Sequence, residues 1–520
     1  MKSRFLPLLA LLVALGLSAT GWSADTPAAS ESAKAPTVEE RIAALEAQLT
    51  VREKPEGDAT VAEKVKLTVD SYNQVAFNAG DNAWMLTSTL LVLLMTLPGL
   101  ALFYSGLVRA KNVLGTMMQS VAITGVVSVI WCICGYSLAF GGDGKFIGSL
   151  SQYAFLTDVI WKDGALLSAV NADYAMSIPH GTFMLFQLMF AVITPALICG
   201  AYAERIKFSG MMVFSVLWLF IVYIPMAHMV WGKGGLFNWG LGPTGGIGAT
   251  DWAAFDFAGG TVVHISSGVA ALMAAIILGK RKIAETEAMR PHNLTLSFIG
   301  ACLLWVGWFG FNAGSALSAG GLATLAFANT HFATAAAALT WPLAEWIIRG
   351  KPTVLGAISG AVAGLVAITP AAGFVSPASA LIIGAVAGIL CMATSSYLKA
   401  ALGYDDALDA FGVHGIGGMW GAIATGIFFA VDANPNVAGL TSTAVNKDFS
   451  GLYEAIKAGT HNVILGQVKA VLVTVVFSAV ASTVILLVVK YTIGLRVTAD
   501  QEAEGLDLTQ HGEEGYHKLT

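Results

Sequence analysis

DFAGGTVVHISSGVAALMAAIILGKR at residues 256–281 and DAFGVHGIGGMWGAIATGIFF at 409–429 decide how this chain is read. Each stretch opens on an aspartate, passes a glycine-containing turn, reaches Val-His and continues in small apolar residues. Each is long enough to cross a bilayer, which takes about 20 residues. His264 and His414 are 150 positions apart (414 − 264), so each belongs to a different half of the series of apolar runs. Ionisable groups inside spans are costly and mark pathways. Matched sites in two halves are what internal repeats in transporters produce.

Composition sets the class. Of 520 residues, 56% are hydrophobic and 12% charged, where a soluble chain carries about a quarter charged residues. The chain is read as an all-α, polytopic membrane protein in a lipid bilayer. The 57 glycines suit helices packing closely in lipid. A net charge of −5 without a basic patch excludes a nucleic-acid partner. Cys132, Cys134, Cys199, Cys302 and Cys391 all fall in apolar runs and are expected to be buried core residues rather than disulfides or ligands.

Along the chain, Lys2 and Arg4 precede an apolar stretch at 5–17, the pattern of a secretory signal over 1–24. Cleavage after Ala24 is poorly matched by Trp22, and an uncleaved anchor is the alternative. Residues 25–80 form a polar extension in which Val38, Ile42, Leu45 and Leu49 are spaced as a short heptad or amphipathic helix. Eleven apolar runs follow, at about 84–105, 117–140, 182–203, 210–230, 259–279, 294–314, 322–348, 353–369, 378–398, 412–430 and 468–492. They predict eleven transmembrane helices over 81–494 and a tail at 495–520. Loops on one side carry fourteen Lys and Arg, including Arg109, Arg205, Arg281 and Arg496; the opposite side carries six. The positive-inside rule makes the richer side cytoplasmic, with the N-terminus outside and the C-terminus inside. Five spans per half is odd, so the halves would form an inverted 5+5 repeat with a final helix added. His264 and His414 would then meet near the midplane.

The chemistry of single residues leaves choices open. Either histidine could be a core residue bonded to a carbonyl; two in matched positions favour a pathway. A paired imidazole titrates as a unit and could line a narrow pore. No Cys or carboxylate lies within one helical turn of either histidine, which argues against a metal site. Asp256 reads as a helix N-cap or as a buried carboxylate beneath a cation site, and these are compatible. Asp409 is read as its counterpart in the second half. Trp231 fits an interfacial belt; Phe190 and Phe311 fit core packing, with Ser315 one turn beyond Phe311. Only a fold could assemble a cation–π site from them. No nucleophile–base constellation or cofactor fingerprint is present in the sequence, so an enzyme is not expected.

Several long segments carry a family resemblance: DNAWML (81–86), TLPGLALFYSGLVRAKNVL (96–114), GAYAERIKFS (200–209), YIPMAHMVWG (223–232), DFAGGTVVH (256–264), GWFGFNAGSA (307–316), DAFGVHG (409–415) and EGLDLTQHGEEGY (504–516). In order and content they resemble the Amt/Mep/Rh ammonium transporter family, its bacterial AmtB-type members in particular, from about 81 to 516. The resemblance implies that Trp231, Phe190 and Ser315 form an outer ammonium recruitment site and that Phe190 and Phe311 gate the pore. It implies that His264 and His414 line that pore and that Asp256 supports ammonium binding and deprotonation. It further implies a homotrimer in the bacterial inner membrane, no cofactor, and a cytoplasmic PII signal protein as partner of the tail. Trp231 favours the ammonium-scavenging branch. The alternatives are an ammonium sensor or transceptor and a neutral ammonia or CO2 gas channel. The extension at 25–80 and the loops at 232–255 and 431–466 are longer than the family pattern.

Overall fold

The computed structural model describes residues 77–516 apart from 163–164, 168, 172, 240–251, 283–288, 431, 435–455 and 457–461. The signal segment, the heptad and much of the two long loops lie outside the described residues. Each of the eleven apolar runs is helical. Among the described residues, nine helices are long and apolar enough to cross a membrane: α1 Ala79–Leu107, α2 Ala110–Phe140, α3 His180–Tyr202, α4 Phe208–Trp231, α5 Gly260–Leu278, α6 Leu294–Gly314, α7 Gly321–Arg349, α9 Pro377–Leu402 and α11 Val463–Thr492. Two are shorter: α8 Val354–Ile368 and α10, made of Phe411–Gly415 and Ile416–Ile427. A last short helix, α12, is Ala499–Glu504.

Local chemistry sets the helix starts. The side chains of Asn293, Thr353, Ser376 and Asn462 each accept a backbone N–H from the first turn of α6, α8, α9 and α11, which satisfies an otherwise orphaned donor. The α3 helix is buried along nearly its whole length, while Leu472, Val476, Val480 and Val484 form an exposed apolar stripe on α11. Apolar surface facing outward is what lipid requires. It also corrects the cysteine expectation. Cys199 and Cys391 are buried, but Cys132 and Cys302 are exposed and Cys134 is half-buried. A membrane helix is apolar on its lipid face as well as its core face, so composition does not separate them. The segment between α2 and α3 adds two small antiparallel hairpins to the helical fold: β1 Trp161–Lys162 with β2 Ala165–Leu166, and β3 Val170–Asn171 with β4 Ala175–Pro179.

The helices carrying the two histidines begin alike. His264 lies in a π-helical turn at Gly260–Ile265 and His414 in one at Phe411–Gly415. Such turns widen a helix locally and re-aim side chains. As α5 runs from Gly260 to Gly268, its neighbours in α10 fall from Gly418 to Gly415, so the helices cross in opposite directions. The crossing depends on glycine. A Cβ on Gly268 would collide with the backbone nitrogen of Gly415, and backbone does not yield as a flexible side chain does.

At the end of the bundle rich in arginine, Glu204 accepts from Arg109 Nε at 2.8 Å, Arg281 Nη1 at 2.7 Å and Asn112 Nδ2 at 2.8 Å. Arg281 also grips Asp405 at 2.8 Å. Burial disfavours the charge on Glu204, but the two arginines outweigh it and hold the carboxyl below its ordinary range. Burial likewise opposes charge on Asp405, yet Arg281 brings it down to about 2. The tail is tied to this end. Glu502 pairs with Arg496 at 2.7 Å, Leu506 N–H donates to Asn112 at 2.8 Å and Gly115 N–H to Asp507 at 2.7 Å.

Gly268→Ala should lower the thermal midpoint of the detergent-purified protein by the equivalent of about 1–3 kcal/mol, the usual cost of overpacking; an unchanged midpoint would mean the helices separate freely. Glu204→Gln leaves the buried Arg109 without its carboxylate and Arg281 with Asp405 alone, and should cost about 3–5 kcal/mol, read as a lower unfolding midpoint. Because the folded carboxyls are held low, the network's stabilisation is complete above the ordinary carboxylate range. The Asp405 share should be lost progressively as pH falls from the ordinary carboxylate range through about 2.

Candidate functional site

The sequence-predicted residues assemble into one column between two cavities. The first cavity, about 500 Å³, is lined by Trp231, Phe190, Asp256 and Ser315, together with Gln187 and Phe186. Trp231, at the end of α4, stands edge-on to Phe190 with ring centroids 5.7 Å apart and planes at 85°. Its indole N–H donates to the Asp256 backbone carbonyl at 3.1 Å, which fixes the ring's orientation. Ser315 donates its hydroxyl proton to Phe311 O at 2.9 Å, leaving the oxygen lone pairs free to accept.

Asp256 is a saturated cap. Its carboxylate accepts the backbone N–H groups of Gly259 at 2.7 Å, Gly260 at 2.6 Å, Thr261 at 2.7 Å and Val262 at 3.3 Å, and the Thr261 hydroxyl as well. Five donors fill about four lone-pair sites, so the carboxylate contributes charge and helix geometry while having no lone pair to spare for a ligand. Gly259 takes a φ of +113° at this turn, a conformation open chiefly to glycine.

Phe190 lines this cavity and Phe311 packs against its ring. Their centroids are 4.3 Å apart with planes at 31°, and both rings are buried. Beneath them His264 stacks on Trp308 at 5.4 Å and 19° and lies 6.0 Å from Phe311. His414 is next, its Nδ1 3.2 Å from Nδ1 of His264, the rings nearly parallel at 17°. That contact is a hydrogen bond only if one Nδ1 carries a proton and the other is bare. His264 Nε2 is buried without a partner. By contrast, each ring nitrogen of His228 has a backbone carbonyl beside it, Ala139 at 2.8 Å and Gly144 at 2.5 Å. His414 lines the second cavity, about 440 Å³, with Tyr104, Ser395, Asp405 and Asp409. Among the described residues, no group of three or more His, Cys, Asp or Glu could hold a metal.

The counterpart of Asp256 is Asp406 rather than Asp409. Asp406 accepts the N–H groups of Ala410 at 3.1 Å and Phe411 at 2.7 Å beneath the His414 turn, whereas Asp409 pairs with Lys399. The signal is present in the chain: Asp256 and Asp406 each precede their histidine by eight residues (264 − 256 and 414 − 406), while Asp409 lies closer. Trp308 and Gln187 were not among the expected residues. Each sits three positions before a site phenylalanine and therefore on its helix face.

An aromatic-lined cavity leading to a buried imidazole pair within a multi-pass helical bundle defines a membrane transport protein. The Ammonium Transporter Family model matches residues 83–516, and the chain belongs to that family. It is 49% identical over 437 residues to the ammonium transporter of Bacillus subtilis (strain 168), covering 84% of this chain and 98% of that protein. Solved structures resemble it too. Candida albicans Mep2 has a TM-score of 0.69 at 34% identity, covering 85% of this chain and 91% of that one. A sensor Amt protein has a TM-score of 0.69 at 26% identity, covering 83% of this chain and 98% of that one.

Proposed function

We propose that this chain recruits ammonium at an outer aromatic site, removes its proton and conducts ammonia inward past the twin histidines, with the proton relayed along the pair. The observation that carries the reading is the unbroken column from Trp231 through Phe190, Phe311 and His264 to His414, with a cavity at each end. All eleven helices cross the bilayer in this reading, as two inverted five-helix halves with α11 added. The opposed crossing of α5 and α10 supports that arrangement. The arginine-rich end is cytoplasmic; the protein is a homotrimer of the bacterial inner membrane, and its tail is a contact site for a PII signal protein.

Ammonium and potassium are similar in size and equal in charge, so pore width separates them poorly. A cation over Trp231 and Phe190 gains about 1–2 kcal/mol from the ring faces. The Ser315 oxygen accepts an N–H, and the Asp256 charge lowers the potential without contact. An apolar passage then penalises a bare charge far more. Ammonium passes by leaving its proton behind, and potassium has none to leave. The unpartnered Nε2 of His264 offers a hydrogen bond to the solute, while the Nδ1 contact between the rings provides a path for the proton.

Currents from proteoliposomes on a solid-supported membrane after an ammonium pulse test this reading. A saturating current is expected, raised roughly 5–30-fold in half-saturating concentration by Trp231→Leu, the equivalent of about 1–2 kcal/mol. Asp256→Ala should abolish the current. Ammonium binding without current, alongside ammonia-driven changes of internal pH, would point instead to a sensor or neutral-gas channel.

A further inference from the structure

The two halves treat their aspartates differently. Asp256 accepts five donors, the Thr261 hydroxyl among them. Asp406 stands in the same place, eight residues before its histidine and under the same kind of turn, and accepts two. It is almost wholly buried. The chain on either side of it opens onto the inner cavity, because Asp405, Ala407, Leu408 and Asp409 line that cavity together with His414.

We propose that Asp406 is the inner positioning residue of the pore: its carboxylate anchors the His414 turn, it exchanges its proton with the inner cavity, and losing its charge slows transport. This rests on the transport reading above. The ionised carboxylate holds the Ala410 and Phe411 N–H groups by charge-assisted bonds, roughly twice as strong as neutral ones. Protonation weakens both, and the turn that holds His414 3.2 Å from His264 loses its anchor.

The groups around Asp406 set where it titrates. Asp409 and Asp405 stand on its own loop with Tyr404; Lys399 comes from α9, Tyr104 from α1 and Arg205 from the α3–α4 connection. The Lys399 ammonium is engaged by Asp409 and by the Asp406 backbone carbonyl, and the Arg205 guanidinium by the carbonyls of Ala203, Gly279 and Asp405. Burial first, then the Asp409 charge, raises the Asp406 carboxyl to about 6, against the pull of Lys399 and the two backbone donors. An acid with a raised value is charged above it and neutral below it, so transport should fall as the inner side acidifies.

The test uses full-length protein in proteoliposomes, with ammonium and outer pH fixed and inner pH varied. The wild-type current should fall roughly tenfold between an inner pH of about 7.5 and about 5, following the ionised fraction, with a midpoint near 6. Asp406→Asn should give a smaller current with a flat inner-pH profile, and Asp406→Glu should restore the slope. A flat wild-type profile, or an Asp406→Asn profile with the wild-type midpoint, overturns the proposal and leaves the transport reading standing. Wild-type protein without any ammonium current overturns both. Should Asp406→Asn fail to fold, Asp409→Asn decides: removing that neighbouring charge should move the midpoint to lower pH, and an unmoved midpoint overturns the proposal equally.

Discussion

Two imidazole rings face each other 3.2 Å apart inside an apolar column, and the rest of the structure serves that contact. Neither ring nitrogen at the contact has another partner, so each depends on the other for the hydrogen bond that makes burial tolerable. The approach requires two helices to cross at glycines, where a single methyl group would collide with backbone. It also requires π-helical turns that aim both rings at the axis, and each turn is held from below by a buried aspartate. Packing, backbone geometry and capping converge on one pair of nitrogens.

The column has different chemistry at its two ends. At one end the surfaces are aromatic faces, a hydroxyl with lone pairs to give and a carboxylate whose charge is felt without contact. In the proposed reading this is a place for a cation that can donate hydrogen bonds. At the other end, Glu204, Arg109, Arg281 and Asp405 form a buried ion network that also anchors the tail through Asn112, Gly115 and Glu502. Between them the phenylalanine pair and Trp308 pack over His264, while His414 borders the second cavity.

Much of this was legible in the chain because lipid imposes blunt rules. Long apolar runs separated by glycine, proline and charge marked the eleven long helices, though not α12, and the order aspartate, glycine-containing turn, Val-His marked the two that matter. Trp231, Phe190, Phe311, Ser315 and Asp256 were each ambiguous in sequence, since an aromatic in a span is usually packing; only the fold puts Trp231, Phe190, Ser315 and Asp256 around one cavity with Phe311 stacked against Phe190. Asp409 was mistaken for the partner of Asp256 because it lies nearer the glycine turn, while hydrogen bonding selects Asp406. Cys132 and Cys302 show a second limit. Membrane helices are apolar all round, so no periodicity tells the lipid face from the core. The hairpins between α2 and α3 carry strands of two to five residues, too short for any alternating pattern to register.

The central claim is that charge crosses by way of the histidine pair while nitrogen crosses as ammonia. Its most direct test is to record current and ammonium uptake on the same proteoliposomes, for the wild type and for the His264→Leu, His414→Leu double variant. The account predicts a wild-type current that tracks uptake and is absent with potassium, and a double variant whose current is lost. An unchanged ammonium current in the double variant would contradict it.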